Sequence, residues 1–377
     1  MNSRERILTT LNHEEPDKVP IDSWITPETA EILIKGLNLD LSQDPFALSK
    51  ALGNDLLYLA LGFCDGYSST LKPERQIGPN LFQDQFGIKW KQHPQQFGSY
   101  CEFAEHPLAD IKKYDNYKLP DPFEVHKNEF KIYENLLKNE IKEYSILGGC
   151  ACTMFEAAWY LRGLENFLTD LYLNRDFAIE LLDITMEYSL KISKKLVQMG
   201  VDIIWWGDDV AHERGPYINP KIFRELIKPR YAYMVSEVKK INKDIKIAFH
   251  CDGKIDWVIE DFIELGFDIL NPLQTDVNNT EEIKKKYGKK LSFWGNVDTR
   301  RVLNIKTFKE VAEEVRRTIE ILSPGGGHIL CTNHTIQAGE RAVDNTISYY
   351  LAANHFRNYP LNVKKVTQEQ KVDVYFT

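Results

Sequence analysis

Apolar residues along this chain fall into short runs ended by turn residues, and amphipathic stretches separate those runs. Eight runs read as strands: Lys18–Asp22, Asp55–Leu61, Ser145–Gly149, Val201–Gly207, Lys246–His250, Asp268–Asn271, Leu291–Gly295 and Gly327–Cys331. Helical periodicity follows at Asn174–Met199, Pro220–Asn242, Ile255–Leu265, Thr280–Tyr287, Thr307–Leu322 and Asp344–Asn358. Parallel neighbours need a crossover, so alternating β and α units predict a parallel sheet. Eight units predict closure into one (β/α)8 TIM barrel, a single α/β domain over residues 1–377.

Residues 62–144 break this rhythm. Six prolines fall there, with aromatic runs at Phe82–Trp90 and Gly98–Phe103 and a helical pattern at Pro122–Lys138. The pattern predicts a small β insertion after the second strand, serving either as a cap over one end of the barrel or as a packing appendage. Val372–Phe376 reads as a short peripheral strand.

Candidate chemistry gathers where apolar runs end. Ile247–Phe249 leads directly into His250, Cys251 and Asp252, and Gly253 ends the strand. Alternation places His250 and Asp252 on one face and Cys251 on the other. The imidazole and carboxylate suit a metal or a proton; the competing reading is a buried histidine satisfied by backbone. Asp208 and Asp209 follow Trp205 and Trp206, and alternation turns one of the two towards the site. One is a candidate acid or ligand, and the other caps a turn or pairs with Arg214. Cys331 and His334 end the last run as further candidates. Glu156 either faces the same cavity or begins a helix. Gly325–Gly327 precedes a strand, so it reads as an entry turn rather than a phosphate cradle.

A net charge of −8 and a pI near 5.7 disfavour nucleic acid as a partner. No apolar run predicts a membrane span, and the charged start Met1–Pro16 lacks a signal-peptide core, so a cytoplasmic enzyme is the expectation. Six cysteines (Cys64, Cys101, Cys150, Cys152, Cys251 and Cys331) then read as thiols or ligands rather than a disulfide framework.

Several segments together resemble the uroporphyrinogen decarboxylase superfamily, nearly end to end. They are Arg4–Asp22 (RERILTTLNHEEPDKVPID), Gly207–Met234, Phe249–Gly253 (FHCDG), Ile269–Gln274 (ILNPLQ), Trp294–Leu303 (WGNVDTRRVL) and His328–Gln337 (HILCTNHTIQ). The resemblance implies a (β/α)8 barrel. True decarboxylases of that family hold an acidic tetrapyrrole with an arginine-rich segment near the N-terminus. The corresponding Pro20–Pro27 contains no arginine, which counts against that substrate.

The other branch comprises methyltransferases that exchange a methyl group with a corrinoid protein. Its zinc-dependent members carry His-x-Cys on the fifth strand and a Cys on the eighth. Here His250 is kept, Asp252 stands in the Cys position, and His334 stands where the second Cys is expected. Cys251 and Cys331 lie out of register by one and three residues. Harder ligands favour an ether oxygen over a thiol acceptor. The resemblance therefore implies an O-demethylating methyltransferase that passes the methyl of a methoxylated, aromatic small molecule to the Co(I) of a partner corrinoid protein. His250, Cys251 and Cys331 are its candidate zinc ligands. Asp208, Asp209, Asp252 and His334 are its candidate catalytic groups. Tyr67, Glu156, Trp205, Trp206, Asn271 and Trp294 are candidate substrate contacts, and a homodimer is compatible with the sequence. Two other readings stand beside it: a lyase acting on a small carboxylic acid, and a non-catalytic binding barrel.

Overall fold

A computed structural model describes residues 1–42, 44–63, 75–304 and 307–363. Its centre is a curled seven-stranded parallel sheet with helices between the strands, a TIM-like barrel. In spatial and chain order the strands are β1 (Leu56–Leu61), β2 (Ser145–Cys150), β3 (Ile203–Gly207), β4 (Lys246–His250), β5 (Ile269–Asn271), β6 (Ser292–Val297) and β7 (His328–Thr332).

The remaining predicted strand, Lys18–Asp22, does not form a ladder; Lys18 and Ile21 make isolated bridges only. Pro20 removes a donor from the middle of the segment, which prevents continuous pairing. The segment still ties both edges of the sheet. Leu330 N–H donates to Pro20 O (2.9 Å), Asp22 N–H to Leu330 O (2.9 Å) and Asp55 N–H to Ile21 O (2.8 Å).

Strand alternation sorts the core into two layers. Leu147, Ile203, Trp205, Ala248, Ile269, Trp294 and Ile329 fill the barrel interior. Ile146, Ile204, Trp206, Ile247, Phe249, Leu270 and Phe293 pack outward against the helices. Both faces are buried, so these strands read as apolar runs rather than as alternating ones.

The helices begin and end where the sequence places its signals. Arg175–Met199 stops at Gly200 in the left-handed region, and Phe308–Leu322 starts with a capping box between Thr307 and Glu310. The predicted helix at Ile255 is shorter, running from Ile259 to Leu265. Between β1 and β2, the strands Arg75–Gly78, Leu81–Gln83, Lys89–Gln95 and Gly98–Glu105 form a four-stranded antiparallel sheet. Trp90 anchors it, its ring tilted against that of Phe103 with centroids 4.3 Å apart. All three glycines of Gly325–Gly327 have positive φ, and their amides are bonded to Glu15, Ser323 and Thr10, as an entry turn requires. Among the described residues, no helix is long and apolar enough to cross a membrane. Cys64, Tyr67 and the segment Val372–Phe376 lie outside the described residues.

Candidate active site

Parallel strands bring their C-terminal ends to one side. There Asp209 after β3, His250 at the end of β4 and Asp252 just beyond it converge. One ligand atom from each lies within 4.8 Å of the others. His250 Nε2 is 3.9 Å from Asp209 Oδ1 and 4.0 Å from Asp252 Oδ2, and Asp252 N–H donates to Asp209 Oδ1 (2.7 Å).

The state of His250 follows from the residue behind it. Asn271 Nδ2 donates to Trp294 O (2.9 Å), which leaves Asn271 Oδ1 as the acceptor facing His250 Nδ1 at 2.7 Å. In the neutral ring the proton therefore sits on Nδ1, and Nε2 faces the two carboxylates. His334 has the opposite arrangement. Its Nδ1 accepts Thr335 N–H (2.8 Å), so the neutral ring carries its proton on Nε2, 3.8 Å from Asp252 Oδ2. Burial, reinforced by the Asp252 carboxylate, pushes the Asp209 carboxyl above its ordinary range.

Gly253 makes the turn after Asp252 feasible. Its φ is +88°, and a Cβ there would lie 2.6 Å from the backbone carbon of His212. Beside it opens a cavity of about 520 Å³, lined by Asp209, Asp252, His334, Tyr217, Arg214 and Gln274 among others. That volume suits a small molecule. Arg214 makes no ion pair among the described residues, so of the two alternatives for the second aspartate the capping one applies.

Other predicted residues take different places. Asp208 is fully buried and turned away from the cavity. It accepts the amides of Met154, Phe155 and Glu156 (2.8–3.2 Å) and the Tyr231 hydroxyl, capping the helix Phe155–Arg162. Alternation turns the adjacent carboxylates to opposite sides, so Asp208 serves the helix start while Asp209 faces the cavity. Glu156 sits in the first turn of that helix, in line with the helical alternative. Cys251 is buried, with Sγ 3.3 Å from Asp252 O, outside the three-residue cluster. Cys331 is likewise outside it, with Sγ 3.4 Å from Asp22 Oδ2. Burial raises both thiols well above their ordinary range.

The aromatic candidates also divide. Trp206 faces outward, its Nε1 donating to Ser193 Oγ (3.0 Å), so it contacts helix rather than substrate. Trp294 is fully buried with Nε1 on Asp22 Oδ2 (3.2 Å), and Asn271 orients His250 instead of lining the cavity. Trp205 stands edge-on to His250 at 6.0 Å. Sequence reading overlooked Trp24, whose ring lies 5.4 Å from that of His250, together with Tyr58 and Asp22 beneath it. The only sequence signal was an aspartate closing an otherwise apolar segment, Val19–Asp22.

A barrel with an oxygen- and nitrogen-donor cluster at the strand ends is the architecture of a barrel enzyme. Residues 84–343 match the uroporphyrinogen decarboxylase (URO-D) family, and the chain belongs to that family. It is 23% identical over 171 residues to "Methylcobamide:CoM methyltransferase MtaA" of Methanosarcina barkeri, covering 44% of this chain and 48% of that protein. The same protein from M. barkeri strain Fusaro is 22% identical over the same shares. The chain thus spans about half the length of the curated relatives it matches. A solved structure described as "methyltransferase from Methanosarcina mazei" superposes with a TM-score of 0.71 at 20% identity, covering 94% of this chain and 99% of that one. That likeness is one of fold.

Proposed function

We propose that this protein is a corrinoid-dependent methyltransferase of the O-demethylating kind. In this reading it moves a methyl group from a methoxylated aromatic substrate to the Co(I) of a partner corrinoid protein. Methyl transfer in general is supported by the methyltransferase relatives. One observation carries the finer reading: the lone pair of His250 Nε2 is aimed at Asp209 and Asp252, a hard donor set with no thiolate in it.

These three residues fit a divalent ion such as zinc, because one nitrogen and two carboxylate oxygens already converge around a ring whose tautomer is fixed. When bound, the ion supplies Lewis-acid polarisation of an ether oxygen. The protein's own residues do the rest. Asn271 holds Nε2 of His250 towards Asp209 and Asp252, and His334 Nε2–H offers a hydrogen bond to the departing oxygen from the cavity wall. In the reaction the C–O bond breaks and a C–Co bond forms. The C–O electron pair stays on oxygen, which leaves as phenoxide and takes its proton from solvent to become the phenol. Both electrons of the new C–Co bond come from Co(I), which becomes methyl-Co(III). Phenoxide is a poor leaving group, so stabilising its developing charge is the catalytic task.

A second reading, a lyase acting on a small carboxylic acid, is favoured by Arg214, which lines the cavity with no ion-pair partner among the described residues. One experiment separates the two. Purified protein is analysed for metal, then incubated anaerobically with Co(I) cobalamin and a panel of methoxyarenes, while CO2 release is followed from matching carboxylic acids. We expect bound divalent metal, methyl-Co(III) formation by the wild type, and its loss in His250→Ala. Methyl transfer that survives His250→Ala in metal-free protein would sink the mechanism. CO2 release without methyl transfer would establish the lyase.

A further inference from the structure

We infer that Trp24 is the platform on which the ring of the substrate stacks, and that Asp22 is a positioning residue that holds Trp24 through Tyr58. The inference rests on the methoxyarene reading above and adds to it the residues that would recognise the arene.

Trp24 follows the segment that ties β7 to β1, and its backbone is fixed on both sides. Its N–H donates to Thr332 Oγ1 (3.1 Å), and its carbonyl accepts Ile336 N–H (2.8 Å). Its indole Nε1 donates to the Tyr58 hydroxyl (3.1 Å), and that hydroxyl in turn donates to Asp22 Oδ2. Trp294 Nε1 (3.2 Å) and Cys331 Sγ (3.4 Å) donate to the same oxygen. Three donors converging on one fully buried oxygen leave Tyr58 a single place for its hydroxyl, and so a single orientation for the indole above it.

The indole touches three rings: Trp294 edge-on at 5.5 Å, Trp205 at 5.8 Å and His250 tilted by 37° at 5.4 Å. Trp205 and Trp294 are buried, whereas Trp24 and Tyr58 keep partial exposure although they pack against the barrel interior. The partly exposed Trp24 thus lies beside the imidazole whose other nitrogen faces the carboxylates. An arene stacked on it would have its methoxy oxygen beside the donor cluster. A rigid, pre-oriented π-face also spares the ordering penalty of binding.

The test compares wild type, Trp24→Leu, Trp24→Phe and Tyr58→Phe. It measures calorimetric binding of a methoxybenzene and its phenol, KM and kcat for methyl transfer to Co(I) cobalamin, and metal content as a control. Trp24→Leu should weaken arene binding and raise KM about tenfold, the weight of one packed aromatic contact, with metal content unchanged. Trp24→Phe should recover part of the affinity. Tyr58→Phe, which keeps the ring but cuts the link to Asp22, should fall between wild type and Trp24→Leu. Unchanged affinity and KM in Trp24→Leu overturn the platform. Wild-type behaviour of Tyr58→Phe overturns the positioning role. If the wild type binds arenes through Trp24 but transfers no methyl group, the platform stands and the O-demethylase reading falls. If it binds no arene at all, both fall.

Discussion

His250 and Asn271 face each other across neighbouring strands β4 and β5, with Nδ1 and Oδ1 2.7 Å apart. The amide of Asn271 is itself fixed by Trp294 O, so its oxygen can only accept. This one bond decides which nitrogen of His250 is available to the cavity. Replacing Asn271 by Leu should leave the fold intact and lower affinity for a divalent metal about 10–100-fold, as loss of a partner behind a ligating histidine does. Zinc titration of wild type and variant with a competing chelator checks this. Equal affinities would remove Asn271 from the site.

By the family resemblance read from the sequence, Asp252 stands where the zinc-dependent branch is expected to carry a thiolate. Asp252→Cys should therefore tighten zinc binding and shift the preferred acceptor from oxygen towards sulfur. Methyl transfer between methyl-cobalamin and a simple thiol, compared in the two proteins, reads the outcome. A variant with tighter zinc but no gain in thiol methylation would contradict the hard-ligand argument.

Asp208 and Asp209 are adjacent in sequence and opposite in role. Asp208→Ala strands three buried amides and the Tyr231 hydroxyl, and should destabilise the fold by roughly 3 kcal/mol or more. Asp209→Asn should change the melting temperature little and remove metal binding. Thermal melts paired with metal analysis distinguish the two, and an inverted pattern would reverse the assignment.

Gly253→Ala places a Cβ 2.6 Å from the His212 backbone at a φ of +88°. Backbone strain and overpacking together should cost roughly 2–4 kcal/mol. Denaturant midpoints measure it, and a shift near zero would show that the turn rearranges freely.

Acid should destabilise the protein through His126. Its Nε2 accepts Gly62 N–H (3.1 Å), and burial lowers its pKa from 6.5 to about 4. His328, buried at the start of β7, is pushed down to about 3, first by burial and then by Lys284. For a base lowered on folding, the unfolded state binds more protons within this window. Their contribution to stability is therefore unaffected well above pH 6.5 and lost progressively as pH falls through 6.5, to about 4 for His126 and about 3 for His328. His126→Gln should flatten the acid limb of a plot of melting temperature against pH. A limb of unchanged steepness would exclude His126 as a cause.

Much of the barrel was legible because its strands are buried on both faces. Runs such as Ile203–Trp206 and Ile247–Phe249 have no other place to go, and Gly200 and Thr307 mark helix ends by local chemistry alone. The failure at Lys18–Asp22 is also local, since Pro20 interrupts a ladder that apolar content suggested. At the site, alternation separated Cys251 from His250 and Asp252, and the structure agrees.

By itself the sequence determined the strand order along the chain, the family resemblance and the His250/Asp252 pair, because period and spacing are one-dimensional properties. Only the tertiary structure decided that Asp209 rather than Asp208 joins them, that Trp206 and Trp294 are packing residues, and that Trp24 lies against His250. Those facts depend on which way a side chain turns and on what a segment far away in sequence brings to meet it. Trp24 and His250 are 226 residues apart, and the segment that ties the two edges of the curled sheet brings them together.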